Sequence, residues 1–159
     1  KDSYCQVLGG MFSKLLQPSN NKLERASLIH RVAVYWLACE LSRFTDVFKV
    51  EVDERRSSGA DIIANVCGRD YKIRVQAAFG DNPDPVKSMV VRTVDFDYLV
   101  YVAMTPIKLS YFYLRGKDLL RFLGLRLTRS MIYMIAQRAP LFQMVSEMCN
   151  SARWGTRYF

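Results

Sequence analysis

Histidine and cysteine are scarce in this sequence. His30 is the single histidine among 159 residues, and none of the four cysteines forms a C-x-x-C pair. Zinc sites built on short Cys and His spacings therefore have no support. There is also no apolar run long enough to span a membrane. With only 5 prolines and 8 glycines, the chain fits neither a collagen-like nor a low-complexity class.

The positions of the cysteines suggest that they are packed rather than reactive. Cys39 and Cys67 lie within apolar patterns and are predicted to be small core residues. This usage favours a reducing, intracellular compartment and leaves open which one. Because the sequence begins at Lys1 rather than at methionine, it is compatible with an upstream segment, such as a transit peptide.

Acidic residues are nearly absent from the last third of the chain. Residues 1–103 hold 14 basic and 13 acidic side chains, whereas residues 104–159 hold 9 basic and 2 acidic ones. Most of the net charge of +8 therefore lies in the second region. This asymmetry favours a polyanionic partner, nucleic acid more often than a membrane, over a solvated surface without a ligand. Seven of these nine basic residues are candidates for contact with that partner: Arg115, Lys117, Arg121, Arg126, Arg129, Arg153 and Arg157.

Half of the residues are hydrophobic, which is typical of a folded domain. We expect one domain over residues 1–159, with a core at about 22–115 and a helical, basic extension at about 116–159. Apolar spacing predicts a long buried helix within residues 22–44, capped by Asn20 or Asn21. A shorter helix is expected before it, broken near its two adjacent glycines.

The middle of the chain predicts strands. In "VFKVEVD", residues 47–53, Phe48, Val50 and Val52 alternate with charged residues, and a hairpin follows after a loop. Asp84 and Pro85 form a helix-start pattern and predict a short helix at residues 85–93. Further strands are expected within residues 96–104 and 110–115, followed by helices within 116–123, 128–138 and 140–152.

The order helix, three strands, helix, strand resembles the core of the PD-(D/E)xK, or restriction endonuclease-like, superfamily. The resemblance covers residues 22–103 and rests on this order and on the segment "ADIIANVCGRDYKIRVQA". It implies an α/β fold with an αβββαβ core, a mixed central sheet and here a helical C-terminal extension. It also implies hydrolysis of phosphodiesters by carboxylate-bound Mg²⁺, with a nearby lysine acting on the attacking water.

Only part of that constellation is present. The family's first acid falls on Asp61, but its acid-x-lysine motif falls on Arg74-Val75-Gln76, and a cation cannot ligate Mg²⁺. With a turn centred on Gly68–Arg69, we expect Asp61 opposite about Gln76 and Arg74 diagonal to Asp61. The literal D-x-K, Asp70-Tyr71-Lys72, would lie on the order of 20 Å from Asp61 along the hairpin, too far to share an ion.

The acid that relatives carry on the first helix is also missing. Its place falls near Val34, which is apolar, while His30 lies one turn earlier and can point the same way. A lone histidine is more often a core or surface residue than a catalyst. Arg74 has two interpretations, a phosphate contact or a structural ion pair with Asp61.

We therefore predict a nucleic-acid-binding protein on a nuclease-like scaffold with an incomplete catalytic site, in which no cofactor is needed. DNA and RNA are not distinguished, and a protein partner or homo-oligomer is compatible with the sequence. The predicted nucleic-acid contacts are Arg55, Arg56, Lys72, Arg74, Arg115, Lys117, Arg121, Arg126 and Arg129.

Two alternatives stay open. One is an active Mg²⁺-dependent endonuclease with displaced ligands, in which Asp61 and Gln76 are catalytic and Asp61 and Glu51, with Asp53 as a further candidate, hold the metal. The other is a protein-binding module in a larger complex, using the Met-rich stretch "MIYMIAQRAPLFQMVSEM".

Overall fold

A computed structural model describes residues 2–18 and 21–155. Arg157 and Asn20, both named above, lie outside these ranges. The elements, in chain order, are α1 (Asp2–Leu15), α2 (Lys22–Leu41), β1 (Val47–Val52), β2 (Ile62–Val66), β3 (Arg69–Phe79), β4 (Met89–Val90), β5 (Tyr98–Met104), β6 (Leu109–Arg115), α3 (Gly116–Leu119), a 3-10 turn (Leu120–Phe122), β7 (Arg126–Leu127), α4 (Arg129–Ile135) and α5 (Leu141–Gly155).

The predicted long helix is confirmed as α2, and Asn21 caps it. The Asn21 side chain accepts hydrogen bonds from the backbone N–H groups of Leu23 and Glu24, which lack partners inside the helix. The prediction of a break in α1 was wrong, because α1 runs without interruption through its two glycines. Its buried side chains pack on α2, and this burial outweighs the helix penalty of about 1 kcal/mol for each glycine.

The main sheet has five strands in the order β1-β2-β3-β5-β6. β3 and β5 are parallel and the other pairs are antiparallel, so the sheet is mixed and the fold is α/β, as predicted. Phe48 was expected to share one face of β1 with Val50 and Val52, which are both partly buried. Phe48 is instead 67% exposed, because an irregularity in β1 shifts the register between Val47 and Lys49.

The hairpin turn lies one residue earlier than predicted, centred on Cys67–Gly68 rather than on Gly68–Arg69. Cys67 and Gly68 both have positive φ, 51° and 85°, as a two-residue turn of the hairpin type requires. The register therefore pairs Val66 with Arg69 and Ile62 with Ile73. Continuing it by one residue places Asp61 opposite Arg74 rather than opposite Gln76, so the predicted register was wrong by two residues.

The predicted helix at residues 85–93 is not formed. This segment is irregular apart from β4, which pairs with β7. The Asp84 side chain does accept a hydrogen bond from the backbone of Val86, but the pattern closes a local turn instead of starting a helix. Val86 and Val91 are fully or almost fully buried, because this extended segment covers one face of the sheet.

Two cores lie on opposite faces of the sheet. The first holds α1, α2 and α5, and the second is formed by the segment before β5 together with residues 116–136. α5 is therefore part of the main core rather than an appended extension. Met144 and Met148 are fully buried there, so this part of the Met-rich stretch has an ordinary core role, whereas Met134 is 86% exposed.

A disulfide joins Cys67, in the hairpin turn, to Cys149 on α5, across 82 residues of sequence. This corrects the interpretation of Cys67 as an unpaired core residue, and the same correction applies to Cys39, which is also disulfide-bonded. The two side chains meet because α5 packs on β2 and because the Tyr71 hydroxyl donates to the carbonyl of Met148, 2.6 Å away.

Candidate functional site

Asp61 is a buried carboxylate at the entrance to β2, with only 3% of its surface exposed. Its Oδ2 accepts a hydrogen bond of 2.8 Å from the Val75 backbone on β3. Its Oδ1 accepts one of 2.8 Å from Arg56 Nε and lies 3.3 Å from His30 Nε2. Burial raises the pKa of Asp61, but the bonds from His30 and Val75 and the charge of Arg56 outweigh it, so this pKa lies below its ordinary value.

His30 is placed by α2, one turn before the buried Val34. Its Nε2 lies 3.3 Å from Asp61 Oδ1 and 3.0 Å from Arg56 Nη2. That nitrogen carries either a proton or a lone pair, so it donates to Asp61 in one state and accepts from Arg56 in the other. His30 therefore does point toward the position of the first acid, and it ties α2 to that acid.

The loop between β1 and β2 positions Arg56. The Asp53 carboxylate accepts hydrogen bonds from the Ser58 backbone and from the Ser58 and Ser57 hydroxyls, which lower the pKa of Asp53 to about 2. Arg56 has φ of 51°, a left-handed conformation that costs a non-glycine residue about 1–2 kcal/mol. The loop holds the guanidinium against Asp61 in spite of this cost.

Arg74 faces the same region from β3. It forms an ion pair of 4.0 Å with Asp95, and its guanidinium lies over the ring of Phe96. The interpretation of Arg74 as the ion-pair partner of Asp61 was wrong, because Arg56 takes that place. A Cβ on Gly59 would lie 2.5 Å from Asp95 Oδ2, so the loop that carries Arg56 also packs against the partner of Arg74.

Two adjacent cavities share Arg56. The first, about 340 Å³, is lined by His30, Asp61 and neighbouring side chains of α2 and the loop. The second, about 300 Å³, is lined by Arg56, Arg74 and Gln76, with apolar walls from β4 and β5. Gln76 Oε1 is buried there without a hydrogen-bond partner, so this amide has unused hydrogen-bonding capacity.

Of the proposed metal ligands, Asp53 lines the same cavity as Asp61, but its carboxylate accepts hydrogen bonds from Ser57 and Ser58. Glu51 forms an ion pair of 2.6 Å with Lys49 on its own strand. Within the described ranges, Asp61 belongs to no cluster of three acidic, histidine or cysteine ligands. Both of its oxygens already accept hydrogen bonds, and Arg56 supplies positive charge where a metal would supply it. The arrangement is therefore poor for Mg²⁺. Asp70 bonds Asn65 near the turn, at the far end of the hairpin.

The remaining predicted contacts are dispersed. Arg115 donates two hydrogen bonds to Glu147 and forms an ion pair of 3.6 Å with Asp118. Arg129 forms an ion pair of 3.1 Å with Asp84. These pairs satisfy much of the charge that the two arginines would offer to a ligand. Within the described part of the chain, the predicted contacts that are exposed and have no ion pair are Arg55, Lys72, Lys117, Arg121 and Arg126. Lys117 and Arg115 line a further cavity of about 390 Å³ with Arg69.

No protein-family model matches the chain, and no curated protein matches its sequence. Among the described residues, no helix has the length and apolar character needed to cross a membrane.

The contacts of Arg56 were only partly accessible to sequence reasoning. Arg56 was predicted to contact nucleic acid, but nothing local to "ERRSSG" indicates which arginine turns inward to Asp61. The one usable pattern was an aspartate followed by serines at positions 57 and 58, which is typical of a side chain that organises a turn. The contact of His30 with Asp61 was available from helical spacing.

Proposed function

We propose that the protein binds nucleic acid through the arginine-lined cavities around Asp61 and does not cut it. One observation carries the proposal: the buried carboxylate of the site, Asp61, is neutralised by Arg56, and the residue opposite it on β3 is Arg74. A metal-dependent nuclease holds its ion with two or three carboxylates, but Asp53 and Glu54, which line this cavity with Asp61, already accept hydrogen bonds from Ser57 and Ser58 and from Tyr35. An arrangement of guanidinium groups suits phosphate oxygens instead, since arginine offers planar, paired N–H donors.

Both guanidinium groups remain accessible to a ligand. The side chains of Arg56 and Arg74 are 50% and 41% exposed, although each has an acidic partner. The 4.0 Å pair of Arg74 is long and partly solvated, so exchanging Asp95 for phosphate costs little. Exposed Arg55 lies next to Arg56 along the chain and adds charge at the edge of the same loop.

The excess of basic residues supports the same partner. The net charge of +8 gives a long-range attraction for polyanions that does not depend on sequence. Contacts with backbone phosphates do not depend on the base sequence, so we expect the protein to discriminate only modestly between nucleic-acid sequences. Gln76 lines the second cavity, where its amide group can hydrogen-bond a base or sugar.

The test is binding of labelled single- and double-stranded DNA and RNA across a salt series. In Arg74→Gln, affinity should fall for all sequences, and the slope of log affinity against log salt should shrink by about one. The matched control is Arg43→Gln at the other end of α2, where Arg43 pairs with Glu40 and is 70% exposed. Unchanged affinity and slope in a folded Arg74→Gln variant would contradict the proposed interface.

A second arm distinguishes binding from cleavage. The protein is incubated with Mg²⁺ or Mn²⁺ and the same nucleic acids, and no cleavage is expected. Cleavage by the parent protein that disappears in Asp61→Asn, a variant that keeps the shape of the side chain, would overturn this proposal in favour of the nuclease. A folded protein that binds none of the four nucleic acids would favour the protein-binding module.

A further inference from the structure

The disulfide between Cys67 and Cys149 has a carboxylate beside it. One oxygen of Asp46 and the two sulfurs all lie within 4.8 Å of one another. These residues come from three segments: the loop before β1, the hairpin turn and α5. The backbone N–H of Cys67 donates to the Asp46 carbonyl at 2.9 Å, so the turn and the loop are held together independently of the disulfide.

We propose that, when this disulfide is reduced, Asp46, Cys67 and Cys149 form a binding site for a thiophilic divalent cation of the zinc class. Two thiolates and one carboxylate are accepted zinc ligands, and ligand atoms around a tetrahedral zinc stand about 3.5 Å apart. Reduction breaks the S–S bond, so the two sulfurs can separate toward that spacing, with the Asp46 oxygen already within 4.8 Å of both. The inference does not depend on nucleic-acid binding.

The chemistry is a balanced exchange. A cellular dithiol transfers two electrons and two protons to the disulfide and becomes a disulfide itself, leaving two thiols on the protein. Zinc binding then displaces the thiol protons into solvent, since thiolates are the ligands. In the oxidised protein the sulfurs are bonded to each other and the site cannot form.

The surroundings favour three protein ligands and one open position. Cys149 is buried and Cys67 half-buried, whereas Asp46 is exposed, so the site opens toward solvent on the Asp46 side. A water molecule would complete the tetrahedron there. Because the ligands join the turn to α5, zinc would replace the cross-link that reduction removes.

The probe is Zn²⁺ alone, measured by competition with a chromophoric chelator, in protein reduced with a phosphine and in oxidised protein. The reduced protein should bind one zinc per chain and the oxidised protein none. Thermal unfolding of the reduced protein should shift upward on addition of zinc. Co²⁺ in place of zinc should show a thiolate-to-metal absorption band.

Variants assign the ligands. Cys149→Ser should lose the stoichiometric zinc, and Asp46→Asn should weaken binding about tenfold or more. Two controls, both in the reduced protein, should leave affinity unchanged: Asp70→Asn, an exposed acid elsewhere on the hairpin, and Cys39→Ser, which removes a thiol that comes from a different disulfide. Zinc binding that survives Cys149→Ser but disappears in Cys39→Ser would overturn the proposal. So would a reduced protein that binds no zinc, or one that unfolds and is not restored by it.

Discussion

Replacing Asp61 tests the central feature of the site. In Asp61→Ala the Val75 backbone N–H loses its acceptor in a buried position, at about 1–3 kcal/mol. The contacts with Arg56 and His30 are also lost. Because those side chains are 50% and 30% exposed, solvent screening limits this part to about 1 kcal/mol. The free energy of unfolding should therefore fall by about 2–4 kcal/mol.

Asp61→Asn separates the two contributions. The amide oxygen can still accept from Val75, so we expect a loss of only about 1 kcal/mol from the missing charge. The folded-state pKa of Asp61 is lowered, so its charge stabilises the protein above the ordinary Asp pKa of about 3.9. That stabilisation is lost as the pH falls through the lowered pKa. The difference between parent and Asn variant should therefore be constant near neutral pH and shrink below about pH 4.

Urea unfolding followed by tryptophan fluorescence measures these differences, with the disulfide kept oxidised. The control is Asp81→Asn, an exposed aspartate, which should stay within about 0.5 kcal/mol of the parent. The reasoning about Asp61 would be refuted if Asp61→Ala also stayed within that margin with an unchanged denaturant slope.

Two further predictions concern the surroundings of the site. Gly59→Ala should destabilise the protein more than Gly124→Ala. Both glycines have a positive φ, 80° and 81°, but a Cβ on Gly59 would lie 2.5 Å from Asp95 Oδ2, whereas a Cβ on Gly124 would meet open space. Equal urea midpoints of the two variants would contradict this. Replacing three arginines by Gln together should lower the slope of log affinity against log salt by about two rather than three, because Arg129 is already paired with Asp84. An unchanged slope would exclude these arginines from the nucleic-acid interface. The three residues are Arg121, Arg126 and Arg129.

The sequence by itself determined the elements whose buried residues follow a regular spacing within one short segment. The helical spacing and Asn21 cap of α2 and the apolar runs of β5 and β6 all predicted the observed type of element. Each of these buries a continuous face, so local periodicity and packing favour the same structure. Asp61 and Arg74 could be placed across one hairpin for the same reason, although the turn set their register.

Where the local sequence pattern and the packing favour different structures, the tertiary structure decided which one forms. Residues 85–93 carry a helix-start pattern, yet the extended chain buries Val86 and Val91 in the second core, and that burial prevails. Arg56 turns inward because its guanidinium meets Asp61 and also His30, which lies 26 residues away on α2. Cys67 and Cys149 meet across 82 residues because α5 docks on the sheet. Contacts between distant segments depend on the summed packing of both cores, and no short window of sequence contains that information.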